Sequence, residues 1–393
     1  MKDMKFIHYL VLVLLLAAAA VGALLILGFF EPGAELHLNA LLPAQTEAPV
    51  EIPTEKSTEA PTEAPTEAPT EAPTEAPTEA PTEPGPQSFV LTFVGDCTLG
   101  CNAKMVNYES AFPKTVGEDY GYPFRNVLSY FEQDDYSFAN LEGTLGDQGK
   151  AQNKKYVFRG SGEYTRILTE NSVNAVTLAN NHSFDYGQEG FDETKRLLDE
   201  AGVPFAEHQS SITVTTDRGL TIGMYALDFT RGEPDREQME ADIRALKESG
   251  VDLVVCAFHW GRENTFRATE SQQEMGRAAI DAGANIVWGH HPHVLQPMEE
   301  YNGGIIFYSL GNFAFGGNSA PKDLDTALVQ QEVIRELDGS VHLGQLTIVP
   351  CSVSSEPGTN NFQPTPYEAG SKEYDRVLRK LDGTYQGSNL PIG

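Results

Sequence analysis

The chain has 393 residues, with 27 Lys and Arg against 56 Asp and Glu, and a formal net charge of -29. An excess of that sign excludes the phosphate-driven binding on which nucleic-acid partners depend, and it disfavours anionic lipid as a partner. Residues 1–86 hold three lysines and thirteen acids, so the remainder carries -19 and is acidic in its own right.

The chain opens on an apolar run, FIHYLVLVLLLAAAAVGALLILGFF from Phe6 to Phe30, in which His8 is the only side chain that ionises near neutral pH. Its 25 residues exceed the roughly 20 needed for a helix to cross a bilayer. Lys2 and Lys5 precede the run and no Lys or Arg follows until Lys56, which places the N-terminus in the cytoplasm. Residues 1–30 are therefore expected to be a cytoplasmic tip and transmembrane anchor of a single-pass cell-membrane protein whose remaining chain is extracytoplasmic. A cleaved signal peptide is the competing reading, because small residues fill Ala17 to Ala23, although its apolar core usually spans only about 7–15 residues. Residues 31–86 read as a disordered linker: the unit Thr-Glu-Ala-Pro repeats from Thr58 to Pro81. Proline at every fourth position denies a helix its donors, and regularly spaced glutamates repel, so the segment is an extended spacer without a core.

Residues 87–393 are long enough for one large domain with a buried interior. Short apolar runs predict strands over Phe89–Val94, Tyr136–Leu141, Ala175–Ala179, Thr221–Leu227, Leu253–Phe258, Ile286–Trp288 and Ile305–Ser309. Helical spacing falls between them over Phe124–Phe131, Tyr164–Glu170, Phe191–Ala201, Arg236–Ser249 and Gln272–Ala282. That alternation predicts an α/β architecture with helices covering sheet. From Ala327 to Pro350 the pattern changes to strand, turn at Asp338-Gly339, strand, which predicts an antiparallel pair on the same or a second sheet. Four cysteines, Cys97, Cys101, Cys256 and Cys351, allow three pairings, with Cys97 and Cys101 close enough in sequence to join in an oxidising compartment.

Polar residues of metal-binding type stand at the ends of these runs. The first ends in Asp96, the second in Asn140-Leu141-Glu142, the third in Asn180-Asn181-His182, the fifth in His259-Trp260 and the sixth in Gly-His-His-Pro-His, with His290, His291 and His293. Ligands of α/β sheets gather outside the carboxyl ends of strands. Each residue alone has an ordinary reading: a turn for Asp96, a solvated acid for Glu142, a helix cap for Asn181, a core imidazole for His259. The triple-histidine turn resists one, because crowded imidazoles are costly to bury without acceptors, whereas a divalent ion takes their neutral lone pairs directly. Mixed imidazole, carboxylate and amide donors suit zinc, manganese or iron better than calcium.

The stretches FVGDCTLG, FANLEGTL, TLANNHSFDYG, FHWGREN and GHHPHVLQPMEEYNGGIIFYSLGNFAFG, in that order, resemble the successive signatures of the CapA family, named for poly-gamma-glutamate capsule synthesis. The resemblance covers Phe89 to about Leu381. It implies the calcineurin-like metallophosphoesterase superfamily and a four-layer sandwich of two central mixed sheets flanked by helices. It also implies two divalent metal ions: Asp96 as a ligand, Glu142 as the bridging carboxylate, Asn181 on the second ion, and His259 with two of His290, His291 and His293 completing the set. The pair is matched best by His291 and His293, leaving His290 as a ligand or phosphate contact. By the same resemblance His182 is a general acid oriented by Asp185. Arg262 and Asn312 are candidate substrate contacts, with surface and turn roles as their ordinary readings.

The superfamily's opening Asp-x-His is Asp96-Cys97-Thr98 here, so one nitrogen ligand is missing, and Cys97 is a candidate thiolate in its place. The expected activity is hydrolysis of a phosphoester or of a bond in an anionic envelope polymer such as poly-gamma-glutamate. The alternative is a non-catalytic component that binds or exports the polymer within a synthase complex.

Overall fold

The computed structural model describes residues 85–391. The expected anchor and the linker up to residue 84 lie outside the described residues, and no described helix is long and apolar enough to cross a membrane.

Two mixed sheets carry the fold. In spatial order the first contains Thr365–Pro366, Val341–Ser352, Asp325–Arg335, Gln87–Thr98, Tyr136–Leu141, Ala175–Thr177 and Phe205–Ala206, with Asn312–Phe315 pairing against the end of Gln87–Thr98. The second contains Leu295–Tyr301, Gly304–Leu310, Ile286–His290, Leu253–His259, Thr221–Asp228 and Ser210–Thr215. The central strands of both sheets run parallel, whereas the pairs at Asp325–Arg335 with Val341–Ser352 and at Leu295–Tyr301 with Gly304–Leu310 are antiparallel. A small third sheet joins Cys101–Asn102, Phe158–Gly160 and Thr144–Leu145.

Side-chain alternation explains why each strand is apolar on both faces. Phe89, Leu91 and Phe93 point into a core shared with Ile222, Met224, Leu253, Val255 and Trp288 of the second sheet, while Val94 and Cys97 point the other way, towards Phe112, Phe131 and Ile167. The outer face of the second sheet packs on the helices Arg236–Glu248 and Glu270–Asp281 through Met239, Ile243, Met275 and Ala279. Trp288 stitches the two sheets together: its ring lies 5.7 Å from that of Phe93, and its Nε1–H donates to the Val94 carbonyl at 2.8 Å.

Local sequence accounts for the helix ends. Thr269 and Gln272 form a capping box before Glu270–Asp281, Asp235 caps Arg236–Glu248, and Gly202 closes Gly187–Ala201 in the left-handed region. The seven predicted strands and the hairpin are present, the latter in the first sheet with Gly339 at φ 84° in its turn. Phe124–Phe131 differs from expectation. It divides into Tyr122–Phe124 and Leu128–Glu132, because a bend between them lets the Phe124 and Phe131 rings meet edge to face at 5.2 Å. Half-exposed edge strands such as Ser210–Thr215, and the helix Lys372–Leu381, carried no apolar run long enough to be read.

Candidate metal centre

The site is built where strand ends from both sheets meet. Asp96 lies in register with Asn140 on one neighbour and Asn312 on the other, and His259 lies in register with His290. Gly95 allows this crossing. A Cβ there would stand 2.1 Å from the Gly311 carbonyl, the same oxygen that accepts the Asp96 N–H at 2.8 Å.

Asp96 is fully buried. Its Oδ1 accepts from Asn140 Nδ2 at 2.9 Å and lies 2.9 Å from His290 Nδ1, so one contact crosses from the first sheet to the second; His293 Nδ1 is 3.3 Å from Oδ2. Burial alone would raise this carboxyl, but the His290 and His293 hydrogen bonds hold it well below the usual carboxylate range. Behind it an amide chain continues: Asn180 Nδ2 donates to Asn140 Oδ1 at 3.0 Å and to the Leu141 carbonyl at 2.9 Å. Asn140 and Asn180 thus stand behind the candidate ligands, bonded to Asp96 and to one another. Asn140 precedes Glu142 by two residues and Asn180 adjoins Asn181.

Glu142 is fully buried, and neither of its carboxylate oxygens has a hydrogen-bond partner. Its Oε1 faces His182 Nε2 at 3.9 Å, His259 Nε2 at 3.9 Å and His293 Nε2 at 3.8 Å. These separations are too long for hydrogen bonds. Burial pushes the carboxyl up to about 8, with Asp96, Asp185 and Glu263 adding to the rise against the opposing pull of His293. A buried carboxylate without a donor is costly, and its natural complement is a cation.

The imidazoles respond in opposite directions. His259 is held well below its ordinary value and His291 is pushed down to about 4, in each case by burial and then by a neighbouring histidine. Burial lowers His293 too, yet Glu142 and Asp96 raise it to about 10. His259 Nδ1, His290 Nε2 and His291 Nδ1 are buried without partners. The turn that presents the cluster holds two non-glycine residues in the left-handed region, His291 at φ 95° and His293 at φ 56°, a strain tolerated where surrounding contacts over-determine it.

The remaining expected residues fall as follows. Asn181 Oδ1 lies 2.8 Å from His259 Nε2. His182 Nδ1 lies 2.7 Å from Asp185 Oδ2, the Phe158 N–H donates to that same oxygen at 2.5 Å, and Lys154 pairs with the other. Burial lowers the His182 pKa and Asp185 opposes it. Asn312 grips His293 at both ends, with Oδ1 2.9 Å from Nδ1 and Nδ2 donating to the backbone carbonyl at 3.2 Å; it also lines the adjoining cavity. Arg262 is exposed and is not among the described residues lining that cavity. Its neighbour Glu263 is, and sequence reasoning missed it: no strand end or histidine spacing marked it out. Cys97 lies in the apolar cluster, its thiol pushed up to about 12 by burial, and it belongs to neither group of clustered metal-type donors; Cys101, Cys256 and Cys351 are likewise buried and unpaired.

Two groups of donors have ligand atoms within 4.8 Å of one another: Asp96, Glu142 and His293, and Glu263, His291 and His293. The cavity beside them, of about 130 Å³, has apolar walls from Phe158 and Phe315, with Tyr156, Asn264 and Lys322 also lining it. Carboxylate and imidazole donors grouped in this way are what a divalent ion takes, and the unpartnered oxygens of Glu142 fit one.

The bacterial capsule synthesis protein PGA_cap model matches residues 90–317, more than half of the chain, and the chain belongs to that family. It is 28% identical over 311 residues to the PGA biosynthesis protein CapA of Bacillus subtilis (strain 168), covering 74% of this chain and 77% of that one. It is 31% identical over 271 residues to the capsule biosynthesis protein CapA of Bacillus anthracis, covering 62% of this chain and 64% of that one, just under two thirds of its length. Among solved structures it bears a loose likeness to Haemophilus influenzae NAD nucleotidase, with a TM-score of 0.37 and 12% identity over 76% of this chain and 63% of that one. A purple acid phosphatase from yellow lupin gives a TM-score of 0.30 and 12% identity over 72% and 58%.

Proposed function

We propose that this CapA-like protein is a metal-dependent hydrolase acting on a phosphoester or on a bond of an anionic envelope polymer such as poly-gamma-glutamate. Its helices and paired sheets are read as a four-layer sandwich, and residues 1–30 as its membrane anchor with the domain extracytoplasmic. A synthase complex is its expected setting. The observation that carries the reading is Glu142: both oxygens are buried without a partner, while three imidazole nitrogens stand 3.8–3.9 Å from one of them.

Asp96, Glu142, Asn181, His259, His290, His291 and His293 would hold up to two divalent ions. Bound there, the ions would supply charge neutralisation and a water of lowered pKa. The chain's own residues do the rest. Asp185 fixes the His182 tautomer through Nδ1, leaving Nε2 directed at the centre as the atom that holds a proton for a leaving group. Phe158, whose ring centroid lies 4.2 Å from that of His182, packs against the imidazole. Asn312 keeps the His293 ring in orientation from both of its amide atoms.

The test is metal analysis of the purified full chain, its Asp96→Ala and His293→Ala variants, and turnover of a panel of phosphoesters and gamma-linked glutamate polymers with and without manganese or zinc. The expected result is bound transition metal in the wild type, lost in both variants, with turnover abolished by chelation. Full metal content in both variants refutes the centre. Metal-independent polymer binding that survives Asp96→Ala, without turnover of any substrate, favours the non-catalytic capture or export role.

A further inference from the structure

The two donor groups differ in a way that divides their labour. Asp96 and Glu142 are buried and do not line the cavity, whereas Glu263, His291 and His293 are each partly exposed, and Glu263 and His293 form part of its wall. We propose that Glu263 joins His291 and His293 around the outer of the two ions, at the cavity, in a subsite filled more weakly than the buried group around Asp96 and Glu142 and exchanging with solvent. This rests on the reading of the buried group as a metal centre.

Several observations place Glu263 there by construction. The Asn264 N–H donates to the Pro292 carbonyl at 2.8 Å, locking the Glu263 loop against the turn between His291 and His293. From the other side the Leu390 N–H donates to the Asn264 carbonyl at 2.9 Å, and Asn389 Oδ1 accepts the Phe266 N–H at 3.0 Å. The C-terminal segment therefore straps the loop in place. Gly261 and Asn264, both at positive φ (84° and 61°), make the bend that turns Glu263 inward while Arg262 stays exposed. Among the described residues no Lys or Arg forms an ion pair with Glu263. His291 Nδ1 is buried without a partner on the same turn.

Physical chemistry then sets the order of affinity. The inner group offers two buried carboxylates in a low-dielectric surrounding, and the outer offers one carboxylate near water, where its attraction for a cation is screened. His293 belongs to both groups, so filling one subsite alters the other.

The experiment strips the full chain with chelator and titrates it with Mn2+, reading stoichiometry by calorimetry and free ion by electron paramagnetic resonance. The wild type is expected to show two classes of site. Glu263→Gln keeps the tighter class and weakens the other at least tenfold, Glu263→Asp falls between, and Arg262→Ala leaves both unchanged. Thermal melts in chelator check that the variants fold; should Glu263→Gln fail to fold, Glu263→Asp decides by the same criterion. Two unchanged classes in Glu263→Gln overturn the proposal, as does a single class in the wild type. Absence of any Mn2+ binding to the wild type instead sinks the reading of the metal centre itself.

Discussion

Lys154 reaches two groups at once: its ammonium pairs with Asp185 and donates to the Asn181 carbonyl at 2.8 Å. It thereby joins the residue that orients His182 to the loop that carries a candidate ligand, from a position behind both. Groups in that position fix ring orientation and ligand basicity, and their loss characteristically costs about 10–100-fold in metal affinity or activity. Lys154→Met is expected to lower metal-dependent turnover by about tenfold or more with little change in KM, whereas Lys154→Arg, which keeps the charge, restores part of it; steady-state kinetics beside a metal titration separate the two effects.

Between the helix Leu128–Glu132 and the strand Tyr136–Leu141 the chain turns through Asp134, one of whose carboxylate oxygens is buried without a partner. Burial, with help from Asp135 and against the Thr92 hydroxyl, pushes this carboxyl from 3.8 up to about 7. The native state therefore keeps a proton that the unfolded chain has lost between those two values, and this element loses stability as pH rises through that window. Asp134→Asn removes the charge at the same shape. Unfolding free energies from urea titrations are expected to match those of wild type near pH 4 and to exceed them at pH 8 by roughly 1–2 kcal/mol after allowance for partial solvent screening. Equal differences at both pH values would place the strain elsewhere.

Across the whole molecule the helix Lys372–Leu381 spans the seam, packing on Leu295–Tyr301 of the second sheet and on Asp325–Arg335 and Val341–Ser352 of the first. Val377 and Leu381 enter the core between the sheets. Lys380, 2% exposed, pairs with Asp323 at 2.6 Å and with Asp325 Oδ2 at 2.7 Å, while Arg376 donates to both oxygens of Asp325 at 2.7 Å. Burial would raise the Asp325 carboxyl, yet Arg376 and Lys380 hold it below the ordinary range. Asp323 also lines the cavity, so one buried ammonium ties the helix to the wall of the site. Lys380→Met leaves Asp323 buried without its counter-charge and is expected to cost about 3–5 kcal/mol of unfolding free energy in a denaturant titration; a loss under about 1 kcal/mol would show that the cluster carries little of the docking.

Strand identity was legible because apolar runs such as Leu253–Phe258 between turn residues have few other fates, and the candidate ligands were legible because Asp96, Glu142, His259 and the histidine turn each stand where such a run stops. Motif order carried the family. Glu263, Lys154 and the amide pair Asn140 and Asn180 were not legible as partners, since each acts through a neighbour far away in sequence, at Pro292, Asp185 or Asp96. Local patterning determines which segments become strands and helices, because backbone geometry and burial act within a few residues. Which loop faces which, and whether Arg262 or Glu263 turns inward, depends on contacts between segments more than a hundred residues apart, such as that of Asn264 with Leu390, and only the packed chain decides them.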